Sequence, residues 1–467
     1  MVLKCEAQDR WHQKERFNTN VNCLMRLMRV VLTISNKGEV MHSSKTNNRP
    51  EGRWNTSNVE PRLGSTKLVA AAICRALTLI VLSALVLVTP RPAQAQTETV
   101  LYNFTGGSDG LHPEASLISD GVGNFYGTTL LGGQGCWSNQ NGCGVVFKIS
   151  PDGTGGWKQT VLNSFSGPPD AANPFLAPLI FDKSGNLYGV TEFGGWDNCG
   201  AVFDLSPVGT GWTANILYSF TCGADGGHPV GNLVMDRAGN LYGTSSEYEL
   251  PGNVFELSPS PLGWTEQVIY DAPASAGLTM DASGNIYGAT NSTLFELSPN
   301  GSGGWNATVM HTFTGPPNDG ISPASPVVLD QAGNLYGVTY AGGATNNGTV
   351  YKLSPGGNAQ WTEEILYSFQ GGTDGANPLG GIVFDAKGNI YGTTSLGGSD
   401  GQGTVFELRA LGHHYKYRLL WSFNEADGSN PYCIPVVDSA GNLYGTAASG
   451  GSNPSSAGLV WEVTRRK

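Results

Sequence analysis

From residue 97 onward, short apolar runs alternate with polar breaks rich in Gly, Asn, Ser and Pro. One stretch shows the rhythm well. Leu179-Ile180-Phe181 ends at Asp182, and Lys183-Ser184-Gly185-Asn186 leads into Leu187 to Thr191. A Gly-rich loop then reaches Ala201-Val202-Phe203-Asp204-Leu205, and Ser206-Pro207 with further Gly precedes Trp212 to Phe220. Runs of this length, apolar and punctuated by turn residues, predict four strands. No part of this body spaces its apolar residues at a helical period, which argues against the α/β classes.

The four-strand unit recurs. Gly-Asn-(Leu/Ile/Phe)-Tyr-Gly occurs seven times, with tyrosines at Tyr126, Tyr188, Tyr242, Tyr287, Tyr336, Tyr391 and Tyr444, spaced by 62, 54, 45, 49, 55 and 53 residues. A four-stranded propeller blade takes about 40–50 residues plus loop insertions. The ends of the body are offset by one strand. Thr99-Val100-Leu101-Tyr102-Asn103-Phe104 reads as a fourth strand with no blade before it, and Leu459-Val460-Trp461-Glu462-Val463 as a third strand with no successor. A ring explains this offset, because the first strand completes the last blade and no edge is left open. The sequence therefore predicts an all-β, seven-bladed β-propeller of four-stranded blades over residues 97–467, closed by its N-terminal strand.

The Gly-Asn-Leu-Tyr-Gly-Thr strings, the Gly-Gly that follows, and Gly-Thr-Val-Phe-x-Leu, as at Gly403 to Leu408, carry a resemblance. The body, roughly Thr97 to Val463, resembles the GloVer (choice-of-anchor) tandem-repeat family of exported bacterial proteins. The resemblance implies an exported, propeller-like repeat body, and it brings no assigned reaction and no catalytic residues. Members often carry a C-terminal sorting segment, whereas Thr464-Arg465-Arg466-Lys467 here adds no apolar tail.

Charge divides the chain. Residues 1–96 hold 14 of the 26 Lys and Arg and 6 of the 37 Asp and Glu, leaving 12 basic and 31 acidic residues, a formal charge of −19, in 97–467. Such a body repels phosphate backbones and anionic bilayers, so no nucleic-acid partner is expected. Ahead of it, Lys67 and Arg75 precede the apolar run Ala76 to Val88, and Ala93-Gln94-Ala95 supplies a small-x-small cleavage pattern. Residues 67–95 therefore read as an export signal, with a periplasmic, cell-surface or secreted destination. A spanning helix needs about 20 apolar residues. Membrane attachment would require this segment to stay uncleaved, using Leu68 to Val88 and burying Arg75. Residues 1–66 show no periodicity and read as a disordered extension or an over-long gene start, since Met41 also precedes the apolar run.

Two polar strings recur with the repeat. Asp120, Asp182, Asp236, Asp281, Asp330, Asp385 and Asp438 each stand before a Gly-Asn pair, where a carboxylate can accept backbone N–H bonds across a tight turn. One Asp per separate turn does not assemble the six to eight oxygens of a calcium site. The second string links one blade to the next: Asp109 to Pro113, Asp170 to Pro174, Asp225 to Pro229, Asp319 to Pro323, Asp374 to Pro378 and Asp427 to Pro431. It enters the innermost strand beside the central channel. It thus places His112, Asn173, His228, Asn377 and Asn430 around one mouth as candidate ligand-binding groups. A repeated, proline-stiffened turn is the competing reading of the same string. Trp137 and Trp196 fall in loops between second and third strands, where exposed indoles suit stacking on sugar rings. Trp157, Trp212, Trp264, Trp305 and Trp361 start fourth strands and read as blade packing.

Cysteine placement suits an oxidising compartment. Cys136 and Cys143 bracket one loop, Cys199 and Cys222 stand at adjacent ends of an antiparallel pair, and Cys433 is left as a small buried residue. No His-x-x-x-His pair occurs in the body, and an all-β body offers no strand-to-helix elbow for a nucleophilic serine, so neither a metal, a cofactor nor a catalytic residue is expected. The sequence points to a non-catalytic binding or scaffold module for a cell-envelope glycan or protein. The alternative is a carbohydrate- or lactone-active enzyme at the channel mouth.

Overall fold

The computed structural model describes residues 96–136, 141–246, 252–272, 276–357 and 360–464. The readings of 1–66 and 67–95 lie outside them, as does Trp137. A 3-10 turn lies at Gly372–Asp374, and among the described residues no helix is long and apolar enough to cross a membrane.

Seven antiparallel sheets follow one another along the chain. From the inside outward, blade 1 comprises Ile118–Ser119, Phe125–Thr129, Val145–Pro151 and Trp157–Ser164, and blade 2 Ile180–Phe181, Leu187–Thr191, Ala201–Val208 and Gly211–Ser219. Blade 3 comprises Pro229–Met235, Leu241–Ser245, Val254–Ser260 and Gly263–Tyr270, and blade 4 Thr279–Met280, Ile286–Ala289, Thr293–Pro299 and Trp305–Thr312. Blade 5 comprises Val328–Leu329, Leu335–Gly342, Thr349–Pro355 and Trp361–Ser368, with Gly320–Pro323 added along its second strand. Blade 6 comprises Ile382–Phe384, Ile390–Thr394, Thr404–Leu411 and His414–Ser422. Blade 7 comprises Val436–Val437, Leu443–Ala447 and Leu459–Thr464, and its outer strand is Thr97–Asn103, paired antiparallel from Thr97 opposite Thr464 to Asn103 opposite Leu459.

Each letter of the repeat has a physical task. In blade 5, Asp330 Oδ1 accepts the backbone N–H groups of Ala332 and Asn334, at 2.8 and 2.9 Å. Its Oδ2 accepts the Asn334 side-chain amide at 2.7 Å and the Tyr336 hydroxyl at 3.1 Å. The same closed turn recurs at Asp182, Asp236, Asp281, Asp385 and Asp438. The glycine after the tyrosine lies under an aromatic ring of the third strand: a Cβ at Gly243 would stand 2.4 Å from Phe255 Cζ. Asp120 closes its turn on Val122 and Asn124 in the same way, so the seven recurring aspartates are turn staples.

Blades pack through aromatic contacts between neighbours. The fourth-strand tryptophans of blades 1, 2 and 4 lie against motif tyrosines of the preceding blade: Trp157 on Tyr444 at 6.3 Å, Trp212 on Tyr126 at 6.3 Å and Trp305 on Tyr242 at 5.7 Å between ring centroids. Blades 7 and 1 meet in the same way, with Phe125 4.5 Å from Tyr444 and Thr446 Oγ1 donating to the Ala115 carbonyl at 2.9 Å.

Among the described residues two disulfides are present, Cys136–Cys143 and Cys199–Cys222, the first expected from the loop it brackets and the second from adjacent strand ends. Cys433 is free and fully buried, and burial pushes its thiol up to about 11.

Two fourth-strand glutamates give the ring a pH dependence. Burial, and after it the charge of Asp427, pushes Glu98 up to about 8; burial, and after it Asp225, pushes Glu266 up to about 7. The folded state thus keeps protons that the unfolded chain loses near pH 4.5. That stabilisation is complete below the unfolded value and is lost as pH rises through about 7 to 8. The melting temperature should fall between pH 5 and pH 8.5, and Glu266→Gln should flatten the decline. A melting temperature that climbs over this interval would contradict the assignment.

Candidate functional site at the channel mouth

Six of the seven innermost strands, with Leu379 and Gly380 ahead of blade 6, line a central cavity of about 1060 Å³. Its wall is largely apolar, formed by Leu117, Leu179, Leu233, Leu278, Val327 and Val436 among others. At the end where the inter-blade links enter it is lined by Glu114, Phe175, Val230, Ala324, Leu379 and Tyr432, each directly after a link proline.

The five expected mouth residues are held in the frame at this end. His112, Asn173, His228, Asn377 and Asn430 all adopt the left-handed conformation, with φ between 50 and 58°. Each directs a side-chain nitrogen at a backbone carbonyl at the end of the preceding blade's second strand. Asn173 reaches Leu130 at 3.0 Å, Asn377 Tyr340 at 3.0 Å and Asn430 Ser395 at 3.2 Å. His112 Nδ1 lies 2.9 Å from the Ala448 carbonyl and His228 Nδ1 3.0 Å from that of Glu192. Their own carbonyls accept from the matching position of their own blade, as His112 does from Leu130 and Asn377 from Ser395. Asn and His recur here because a short polar side chain tolerates positive φ and spans the gap between blades. The link aspartates close the turn behind them: Asp225 accepts the Tyr218 hydroxyl at 2.9 Å, and Asp374 that of Tyr367 at 2.7 Å.

What varies from blade to blade is the residue after the proline and the residue after the second strand. Here the mouth acquires its chemistry. Glu114 and Glu192 face one another electrostatically. Burial, then the charge of Glu192, pushes Glu114 up to about 7, and burial raises Glu192 as well. One Glu114 oxygen is buried without a hydrogen-bond partner. Burial first, and then Glu114 and Tyr340, raises the Tyr432 hydroxyl. Ser246 and Asn291 add polar groups from blades 3 and 4. Sequence reasoning singled out the invariant positions of the link and passed over these variable neighbours. The available signal was the change of residue type immediately after each link proline.

Trp196 is 76% exposed, and it stands apart from the channel, over a shallow depression with Pro169 and the fourth strand of blade 2 at Ile216–Ser219. It does not join the other expected residues.

Fold and cavity define a seven-bladed β-propeller with a central cavity, lined at one end by residues that follow the inter-blade links. The sequence matches the Gloeobacter/Verrucomicrobia repeat over residues 86–292 and again over 274–467, and the chain belongs to that family. No curated protein matches it. Among solved structures it is similar to virginiamycin B lyase from Staphylococcus aureus, at 12% identity and a TM-score of 0.50, covering 79% of this chain and 99% of the lyase. It is also similar to a fungal alcohol oxidase of the AA5 family in complex with copper, at 14% identity and a TM-score of 0.52, covering 79% and 76% of the two chains. At these identities the likeness is one of fold alone.

Proposed function

We propose that the protein is an exported binding propeller that holds a neutral glycan at the channel mouth. The observation that carries this is the contrast between frame and filling: matching clasps at five of the seven links, with Glu114, Phe175 and Tyr432 set into the cavity between them. Aromatic faces at Phe175 and Tyr432 offer stacking surfaces for sugar rings, and Glu114 offers an acceptor for sugar hydroxyls. The formal charge of −19 on the body disfavours anionic ligands. Two disulfides suit an oxidising destination outside the cytoplasm.

The test is a neutral-glycan array followed by titration calorimetry. A hit should lose roughly 5- to 30-fold in affinity in Glu114→Gln and in Tyr432→Phe, the loss of one hydrogen bond each. Unchanged affinity in both variants, or no neutral glycan bound, would overturn the reading. A second reading, carbohydrate or lactone chemistry, is favoured by one observation: Glu114 lies near neutrality beside a second carboxyl, the pairing that general acid–base catalysis uses. Turnover of a chromogenic glycoside or lactone, abolished in Glu114→Gln, would select it.

A further inference from the structure

Away from the channel, the outer seam between blades repeats a three-residue contact. A fourth-strand residue faces the link aspartate, and a residue near the start of the next blade's fourth strand faces both. The first position holds Tyr102, Tyr218 and Tyr367 in blades 7, 2 and 5, whose hydroxyls donate to Asp109, Asp225 and Asp374. Between blades 4 and 5 it holds His311, in the same register: His311 is opposite Leu294 as Tyr367 is opposite Val350. There the link residue is Asp319, and the third position is Glu363.

We propose that His311, Asp319 and Glu363 form a binding site for one divalent transition-metal ion, zinc being the reference case, which clamps blade 4 to blade 5. His311 Nε2 stands 3.5 Å from Asp319 Oδ2 and 3.6 Å from Glu363 Oε2, and the three donor atoms lie within 4.8 Å of one another. A hydrogen bond from an imidazolium to a carboxylate closes to about 2.7–2.9 Å. These separations are longer, and His311 Nε2 is buried without a hydrogen-bond partner. Two ligands about 2.1 Å from a shared ion at a tetrahedral angle stand roughly 3.4 Å apart, close to both values.

Imidazole with two carboxylates is a donor set for zinc and its neighbours, and hard ions such as calcium favour all-oxygen cages. Asp319 is fixed in place, its Oδ2 accepting from Thr314 N and Oγ1 at 2.6 and 2.9 Å and its Oδ1 from Gly320 N at 2.6 Å. Asp319 and Glu363 bring two carboxylates together beside His311, a like-charge pairing that a cation relieves. The two other Asp–Glu seams, Asp225–Glu266 and Asp427–Glu98, share that conflict, but their first positions hold Tyr218 and Trp421, which are poor metal ligands. The side chains of His311 and Glu363 keep 18% and 13% exposure, so the site is reachable from solvent.

The experiment strips the purified protein with EDTA and titrates it with zinc chloride alone at pH 7.5. Calorimetry and thermal unfolding are followed in parallel. One zinc per chain should bind, with a rise in melting temperature. His311→Tyr installs the residue used at this position in blades 2, 5 and 7, so the variant should fold. It should lose zinc affinity by about 100-fold or more, along with the zinc-dependent thermal shift. Glu363→Gln should weaken binding while keeping the seam packed. Wild-type protein that takes up no zinc, or a His311→Tyr variant that binds it as tightly, overturns the site.

Discussion

Replacing Phe104 with alanine should destabilise the whole body by about 3–5 kcal/mol, and removing residues 97–104 should abolish a single cooperative unfolding transition. Phe104 is fully buried at the end of the N-terminal strand and packs edge-on against Phe147 of blade 1, 5.1 Å away. The strand itself covers the outer edge of Leu459–Thr464, whose Trp461 is also fully buried. Without it, blade 7 exposes an unpaired strand edge, and blade 1 loses the contact that joins it to the last repeat. Differential scanning calorimetry decides the matter. Unchanged melting of the truncated protein would mean that the N-terminal strand is dispensable and that the ring is held elsewhere.

Asn377→Ala should cost roughly 1.5–3.5 kcal/mol, although the residue is only half-buried in a loop. Two terms add. The exposed hydrogen bond to the Tyr340 carbonyl is lost, worth about 0.5–1.5 kcal/mol because water can take its place. The left-handed conformation, φ 55°, is then imposed on a residue that disfavours it, at roughly 1–2 kcal/mol. Asn377→Gly separates the terms, because it removes the bond and relieves the strain, and it should cost about half as much. His112→Asn should be tolerated, since Asn fills the same position at Asn173 and Asn430. Urea melts of the three variants give the ordering Ala worse than Gly, with Asn at position 112 near wild type. Equal stability of Asn377→Ala and wild type would remove the clasp from the account. It follows that alanine substitutions at His112 and His228 read out ring stability before they read out any ligand.

Much of the architecture is legible in the sequence because the repeat states it seven times. The Gly-Asn-x-Tyr-Gly strings mark the turns that Asp330 and its equivalents close. The offset between Thr99 and Val463 marks the shared last blade, and the cysteine pairs follow from the loop that one brackets and the strand ends that the other joins. The same repetition hides the site. The residue that recurs at five of the links, as Asn173 or Asn430, recurs because those links need a positive φ and a bridge to the neighbouring blade. Glu114, Glu192 and Tyr432 each occur once at their positions and come from blades 1, 2 and 7, so only the closed ring brings them to one opening. His311, Asp319 and Glu363 are likewise far apart in sequence and form no spacing motif; their meeting depends on the packing of two outer strands. Trp196 illustrates the converse limit. Loop membership places it at the correct end of its blade, yet its radial position, over the fourth strand, follows only from the fold.

The central claim is that the channel mouth, between the clasps, is where the ligand sits. Hydrogen–deuterium exchange of the protein with and without an array-identified oligosaccharide tests it directly. Bound ligand should protect backbone amides at residues 114–118, 175–181 and 432–437, which line the cavity, and leave the opposite-end turns at 120–124 and 182–186 unchanged. Protection confined to those turns, with none at the mouth, would contradict it.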